Sequence, residues 1–275
     1  MTTATLPEPV VSPAPVRVGP VTQGNVIRSE WIKFRTVRST VIVSALTALF
    51  MVGLGLLVSA VTHAHWDHLD PEEQLPFNLI RRSLVGVFLA QLTVGVLGVL
   101  VITAEYTTGM IRATLGAVPR RLPVLWGKLA VFAPVTFLLT LAASFAAFLG
   151  GQALLRSHGV PLSTPGALRA VFGVALYLTV LSVLAVALGF IIRNTAGAIT
   201  ALFAIIIVLP AIAAALPSSW QRSIVPYLPS SAGQAVFMTH HVPNSMHPWA
   251  GFALFCGYAA VAVAGGAVAL VRRDA

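Results

Sequence analysis

Apolar residues run along the chain in six long stretches, at about 41–61, 84–103, 129–150, 170–192, 195–216 and 249–271, and every Lys, Arg, Asp and Glu falls outside them. An α-helix rises 1.5 Å per residue, so about 20 residues cross the roughly 30 Å hydrocarbon core of a bilayer. Each stretch reaches that length. The pattern predicts an all-α, polytopic membrane protein with six transmembrane helices. Only Arg193 and Asn194 separate the fourth and fifth stretches, so these two must form a tight antiparallel hairpin.

Before the first stretch the pattern changes twice. Residues 1–23 hold Pro7, Pro9, Pro13, Pro15 and Pro20 among small and β-branched residues, which predicts a disordered tail on the cytoplasmic side rather than a signal peptide. Residues 24–38 then place Ile27, Trp31, Phe34 and Val37 at helical spacing beside Arg28, Lys33 and Arg35. That is the pattern of an interfacial amphipathic helix. Glu30 and Arg38 fall on the same stripe and make it imperfect. Residues 39–275 form the six-helix transmembrane domain.

Composition agrees with a lipid environment. The chain is 57% hydrophobic and 9% charged, with a mean hydropathy of +0.89, far from the roughly 25% charged residues of soluble domains. A net charge of +9 could suggest nucleic acid, but the basic residues lie between membrane stretches and set orientation instead. With the amino terminus inside, Arg17, Arg28, Lys33, Arg35, Arg38, Arg112, Arg120, Arg121, Lys128, Arg193, Arg272 and Arg273 are cytoplasmic. Arg81, Arg82, Arg156, Arg169 and Arg222 are external, and the acidic residues divide evenly. The excess predicts a plasma-membrane protein with both termini cytoplasmic and no nucleic-acid partner.

Within the stretches the polar groups are uncharged, among them Gln91, Thr93, Thr140, Ser144, Tyr177, Thr179, Ser182 and Thr200. They are candidates for lining a pathway or for bonding between helices. The lack of ionisable groups argues against an ion-coupled carrier, which needs them near the midplane. Pro134 and Pro210 predict kinks, and Ala253/Gly257 and Ala262/Gly266 have the spacing for close helix contact. Cys256, the single cysteine, lies in an apolar stretch and can form no internal disulfide.

The segment 105–128 carries the most functional information. Thr107 or Thr108 can cap a short helix reaching Leu115, with Met110, Ile111 and Leu115 as its apolar face and Arg112 and Thr114 opposite. Glu105, Gly109, Met110, Arg112 and Leu115, followed by Pro119-Arg120-Arg121 and Gly127-Lys128, resemble the E-x-x-x-G-T-x-R-x-x-L…R…K signature of type 2 ABC exporter permeases. Met110 stands where many relatives have Thr. Ser29-Glu30-Trp31-Ile32-Lys33-Phe34-Arg35 is similar to the motif that precedes the first span in that family.

The resemblance implies a short cytoplasmic coupling helix docked on a separate ATPase subunit, with Glu105, Thr108, Gly109, Met110, Ile111, Arg112, Leu115 and Arg120 as the contact. It also implies a second permease copy or homologue, while the uncharged groups of the spans favour a lipophilic or amphipathic solute or a lipid as cargo. The chain has no phosphate-binding P-loop: Gly127-Lys128 is followed by Leu129, with Leu122 at the first glycine position. No cofactor is therefore expected on this chain, and ATP with its magnesium belongs to the partner.

The first external loop gathers His63, His65, Asp67 and His68, and the last holds His240, His241 and His247. These are metal-ligand types at high density, yet a solvated loop explains them as well. An enzyme built on His63, His65 or Asp67 is a second function class, disfavoured by the lack of carboxylates in 217–248. A sensor or immunity module using the same ATPase is a third.

Overall fold

The computed structural model describes residues 22–118, 121–239 and 246–272. They form α1 (Gln23–Thr36), α2 (Arg38–Ala64), α3 (Pro76–Ser83), α4 (Val87–Thr107), α5 (Met110–Ala117) and α6 (Leu122–Leu154). There follow α7 (Ala167–Ile192), α8 (Thr195–Phe203), a π-helical turn (Ala204–Val208), α9 (Leu209–Ala214), α10 (Ser218–Ile224), α11 (Pro229–Gln234) and α12 (Pro248–Arg272). No strand occurs among the described residues. Among the described residues six segments are long and apolar enough to cross a membrane: Arg38–Ala64, Pro76–Thr107, Leu122–Leu154, Ala167–Ile192, Thr195–Ala214 and Pro248–Arg272. These are the six stretches of the sequence. The described residues are all-helical in their regular structure, and the six apolar helices are those of a multi-pass membrane protein.

The expected tail lies outside the described residues except for its last two. Thr22 caps α1 by accepting a hydrogen bond from the Asn25 backbone N–H at 3.3 Å, and Gln23 is the first helical residue. Val37 then adopts an extended conformation (φ −76°, ψ 113°) and separates α1 from α2.

Helix α7 is the axis of the bundle, packed against α4, α6 and α12. Most of its residues are apolar and buried against these helices, while Leu168 and Phe172 remain exposed. Ala170, Val174, Tyr177, Leu181, Ala185 and Phe190 are all buried. The hairpin after it forms as expected. Arg193 takes the left-handed conformation (φ 60°), and Asn194 caps α8 by accepting from the Gly197 N–H at 2.9 Å.

Three details differ from the apolar pattern. The second span gains α3 in front of it, and the turn at Leu84–Gly86 joins the two. The third is 33 residues long, about 50 Å, so its ends extend beyond the apolar run. The fifth carries a π-turn ahead of Pro210, in which the Leu209 N–H bonds the Ala204 carbonyl five residues back. Proline disturbs the preceding turn through its ring and its missing N–H, and a widened turn accommodates both. By contrast α6 runs unbroken through Pro134.

Of the two small-residue pairs, Gly266 is a close contact: a Cβ there would sit 3.2 Å from Phe190 Cβ on α7. Gly257 faces open space. Exposed apolar residues such as Val41, Leu49, Leu57, Ile212 and Val261 line the outside of the bundle, as a lipid-facing surface requires.

Candidate functional site

At the end of the bundle where α1, α4 and α6 meet, four charged side chains form a closed network. Lys128 Nζ donates to Glu30 Oε2 and Glu105 Oε1, both at 2.7 Å. Lys33 Nζ donates to Glu30 Oε1 at 2.8 Å and to Glu105 Oε1 at 2.9 Å. Each lysine bridges both glutamates, and the four charges cancel. Lys128, Glu105 and Glu30 are only 2%, 3% and 5% exposed, while Lys33 is half-buried at the rim. Buried charges are tolerable only when paired with good geometry, as here. Glu105 Oε2 has no hydrogen-bond partner among the described residues.

The sequence positions each member. Glu30 and Lys33 are three apart on α1 and share a face. Glu105 lies in the last turn of α4. Gly127 lets α1 approach α6, since a Cβ there would fall 2.7 Å from Val26 Cγ1, and the next residue, Lys128, reaches Glu30. The network explains the imperfect stripe of α1. Its inward face is Val26, Glu30 and Phe34, whereas Trp31 and Ile32 point outward at 42% and 51% exposure.

Burial works against the Lys33 ammonium, but its hydrogen bonds and charge contacts with Glu30 and Glu105 outweigh it and hold the pKa above the usual 10.5. A raised lysine pKa contributes stability that is complete below the unfolded pKa, about 10.4, and is lost as pH rises through the folded value. Thermal stability should therefore be insensitive to this group from neutral pH to about 9 and decline above about 10.4. Melting curves of Lys33→Met, each normalised to its own value at pH 8, should show a shallower alkaline decline; an unchanged decline would remove Lys33 from the account.

The segment after α4 begins on glycine. Gly109 has φ 71°, a conformation that suits a residue without a side chain, and it lets the chain turn from α4 into α5. The Thr cap expected from the sequence does not form. Thr107 and Thr108 bond back to the carbonyls of Thr103 (3.0 Å) and Ala104 (2.8 Å) within α4, because α4 continues through Thr107. Of the residues expected at the contact, Thr108, Gly109, Met110 and Arg112 are exposed, Leu115 is half-buried, and Ile111 and Glu105 are buried. Ile111 packs into an apolar cluster with Ile102, Leu125 and Phe190. Arg120 lies outside the described residues.

Tyr106, Thr107, Thr108, Gly109, Ile111 and Arg112 form one wall of an open groove of about 900 Å³ whose other wall is the hairpin turn Arg193–Ala196; Met110 does not line it. The Arg193 guanidinium stands 5.2 Å from the Tyr106 ring and donates to the Ala269 carbonyl at 2.9 Å. Thr195 Oγ1 donates to Thr103 Oγ1 at 2.9 Å. Both walls are thus tied to the bundle. Glu30, Lys33 and Lys128 as network members, and Asn194 and Thr195 as groove residues, were not singled out by sequence reasoning. Glu30 on an apolar stripe was the available signal.

A scan against protein-family models and a search of curated proteins each find no match.

Seven of the eight uncharged polar groups named for the spans bond internally. Tyr177 Oη donates to Gln91 Oε1 at 2.7 Å between α7 and α4, and Thr47 donates to Thr93 at 2.8 Å between α2 and α4. Thr140, Ser144, Thr179 and Ser182 bond carbonyls of their own helices. Thr200 is exposed on α8. None of the eight lines the groove beside α5 or the large cavity at the opposite end of the bundle.

At that opposite end, His63 and His65 flank the end of α2, and Asp67 and His68 follow in a 3₁₀ turn (Trp66–His68). Trp66 stacks on His158 at 3.8 Å. Among the described residues no three His, Cys, Asp or Glu side chains converge as a metal site. His240 and His241 lie outside the described residues.

Proposed function

We propose that this chain is the permease subunit of an ABC exporter, oriented with α1, α5 and the end of α12 on the cytoplasmic side. A separate ATPase subunit binds ATP and magnesium, and a second permease copy or homologue completes the transporter. The cargo is a lipophilic or amphipathic solute or a lipid. The motif resemblance between residues 105 and 128 motivates the assignment, and one structural observation supports it best. Exposed Thr108, Gly109 and Arg112 border a groove at one end of the bundle, and α4, which leads into them, is locked through Glu105 to α1 and α6.

That arrangement suits force transmission. A partner pressing on α5 moves the end of α4, and the Glu105 contacts to Lys33 and Lys128 carry the displacement into two further helices. Buried Glu105 then acts behind the contact surface rather than in it. Co-purification from the native host should bring down a soluble P-loop protein. Exchanging exposed Arg112 for Glu together with Met110 for Ala should weaken its retention by at least about 30-fold, the scale of an interface hot spot of about 2 kcal/mol, without changing the melting temperature. Undiminished retention in the double variant would overturn the assignment.

A further inference from the structure

The end of the bundle opposite the charged network holds a cavity of about 700 Å³ between the loop before α3, the start of α4 and residues 237–239. That volume lies within the roughly 300–1,000 Å³ of small-molecule pockets. Its walls divide by chemistry. Phe77, Leu84, Phe88 and Phe237 form an apolar side, and Asp70, Glu72, Glu73, Arg81 and Arg82 form a charged rim. Thr239 Oγ1 donates to the Phe77 carbonyl at 3.1 Å and ties the far wall to α3.

The rim charges are not equivalent. Arg82 is committed, donating to Thr62 Oγ1 at 3.0 Å and pairing with Glu73 at 3.1 Å. Asp70, Glu72 and Arg81 are exposed and have no ion-pair partner among the described residues. The free rim therefore offers two carboxylates, which accept from an ammonium, and one guanidinium, whose fork matches a phosphate. An apolar wall beside them, reaching Phe88 at 44% exposure, suits an acyl chain.

We propose that this cavity binds a zwitterionic amphiphile of the phosphatidylethanolamine class, its phosphate on Arg81, its ammonium between Asp70 and Glu72, and its chain along Phe77 and Phe88. An anionic headgroup without an amine leaves both carboxylates uncompensated and is disfavoured. The site stands without the exporter assignment; only the role of the bound lipid as cargo rests on it.

Native mass spectrometry of the purified full chain in detergent, titrated with short-chain phosphatidylethanolamine or phosphatidylglycerol, tests this with no ATPase present. The ethanolamine lipid should bind at least about tenfold more tightly. Asp70→Asn with Glu72→Gln should abolish that preference, and Arg81→Gln should weaken both lipids. Equal binding of the two lipids by the unaltered chain overturns the proposal whatever the variants do, as does unchanged ethanolamine-lipid affinity in both folded variants. Neither result bears on ATPase retention, so the two assignments fail separately.

Discussion

Replacing Lys128 with alanine will destabilise the bundle by about 3–5 kcal/mol, the range for removing one partner of a buried ion pair. Lys128 is 2% exposed, and its ammonium holds one oxygen of each of two buried glutamates. Without it, Glu30 and Glu105 share the half-buried Lys33 alone, and one carboxylate charge has no compensation in surroundings that solvate it poorly. Thermal unfolding in detergent should show a large drop in midpoint. Adding Glu105→Gln to the alanine variant removes the surplus charge and should recover part of the loss, leaving Glu30 and Lys33 as a matched pair. A midpoint within about a degree of the unaltered chain, where a loss of this size predicts several degrees, would show that the network contributes nothing to stability.

The second large effect is expected at Gly86, between α3 and α4. A Cβ built there falls 2.6 Å from Met51 Cα and 2.6 Å from the Phe50 carbonyl oxygen. Both obstacles are backbone of α2, which cannot swing aside as a side chain can. Gly86→Ala should therefore lie at the top of the usual range for overpacking, about 1–3 kcal/mol. Gly257→Ala is the matched control. It lies within α12, where an added Cβ would meet nothing within 4 Å, and replacing a mid-helix glycine by alanine gains roughly 0.5–1 kcal/mol from backbone entropy alone. Equal melting shifts for the two would refute the packing argument at Gly86.

What could be read from the sequence followed from physical range. Six spans and the 193–194 hairpin are set by local length and polarity, and both were legible. The start of α5 was misread because a threonine cap and a left-handed glycine are both consistent with Thr107-Thr108-Gly109, and only the continuation of α4 decides between them. α3 was missed because Pro76–Ser83 is short and mixed in polarity. Pro210 was legible as a disturbance, while the form of that disturbance depends on how the preceding turn relaxes. Least legible was the network. Glu30 registered as a defect in an amphipathic stripe, and its partner lies 98 residues away, beyond any local periodicity. The segment 108–112 was legible as a motif, whereas the groove wall at 193–196 that faces Thr108, Gly109 and Arg112 depended on tertiary placement.

The separation between Glu30 and Lys128 also bears on how the protein is made. Glu30, Lys33 and Glu105 leave the ribosome before Lys128 does. Until the third span arrives, these three carry one more negative charge than positive and have reason to stay in contact with water. Closure of the network therefore has to wait for α6. A chain that stops or misinserts before that point leaves Glu30 and Glu105 with Lys33 alone of the two lysines that bridge them.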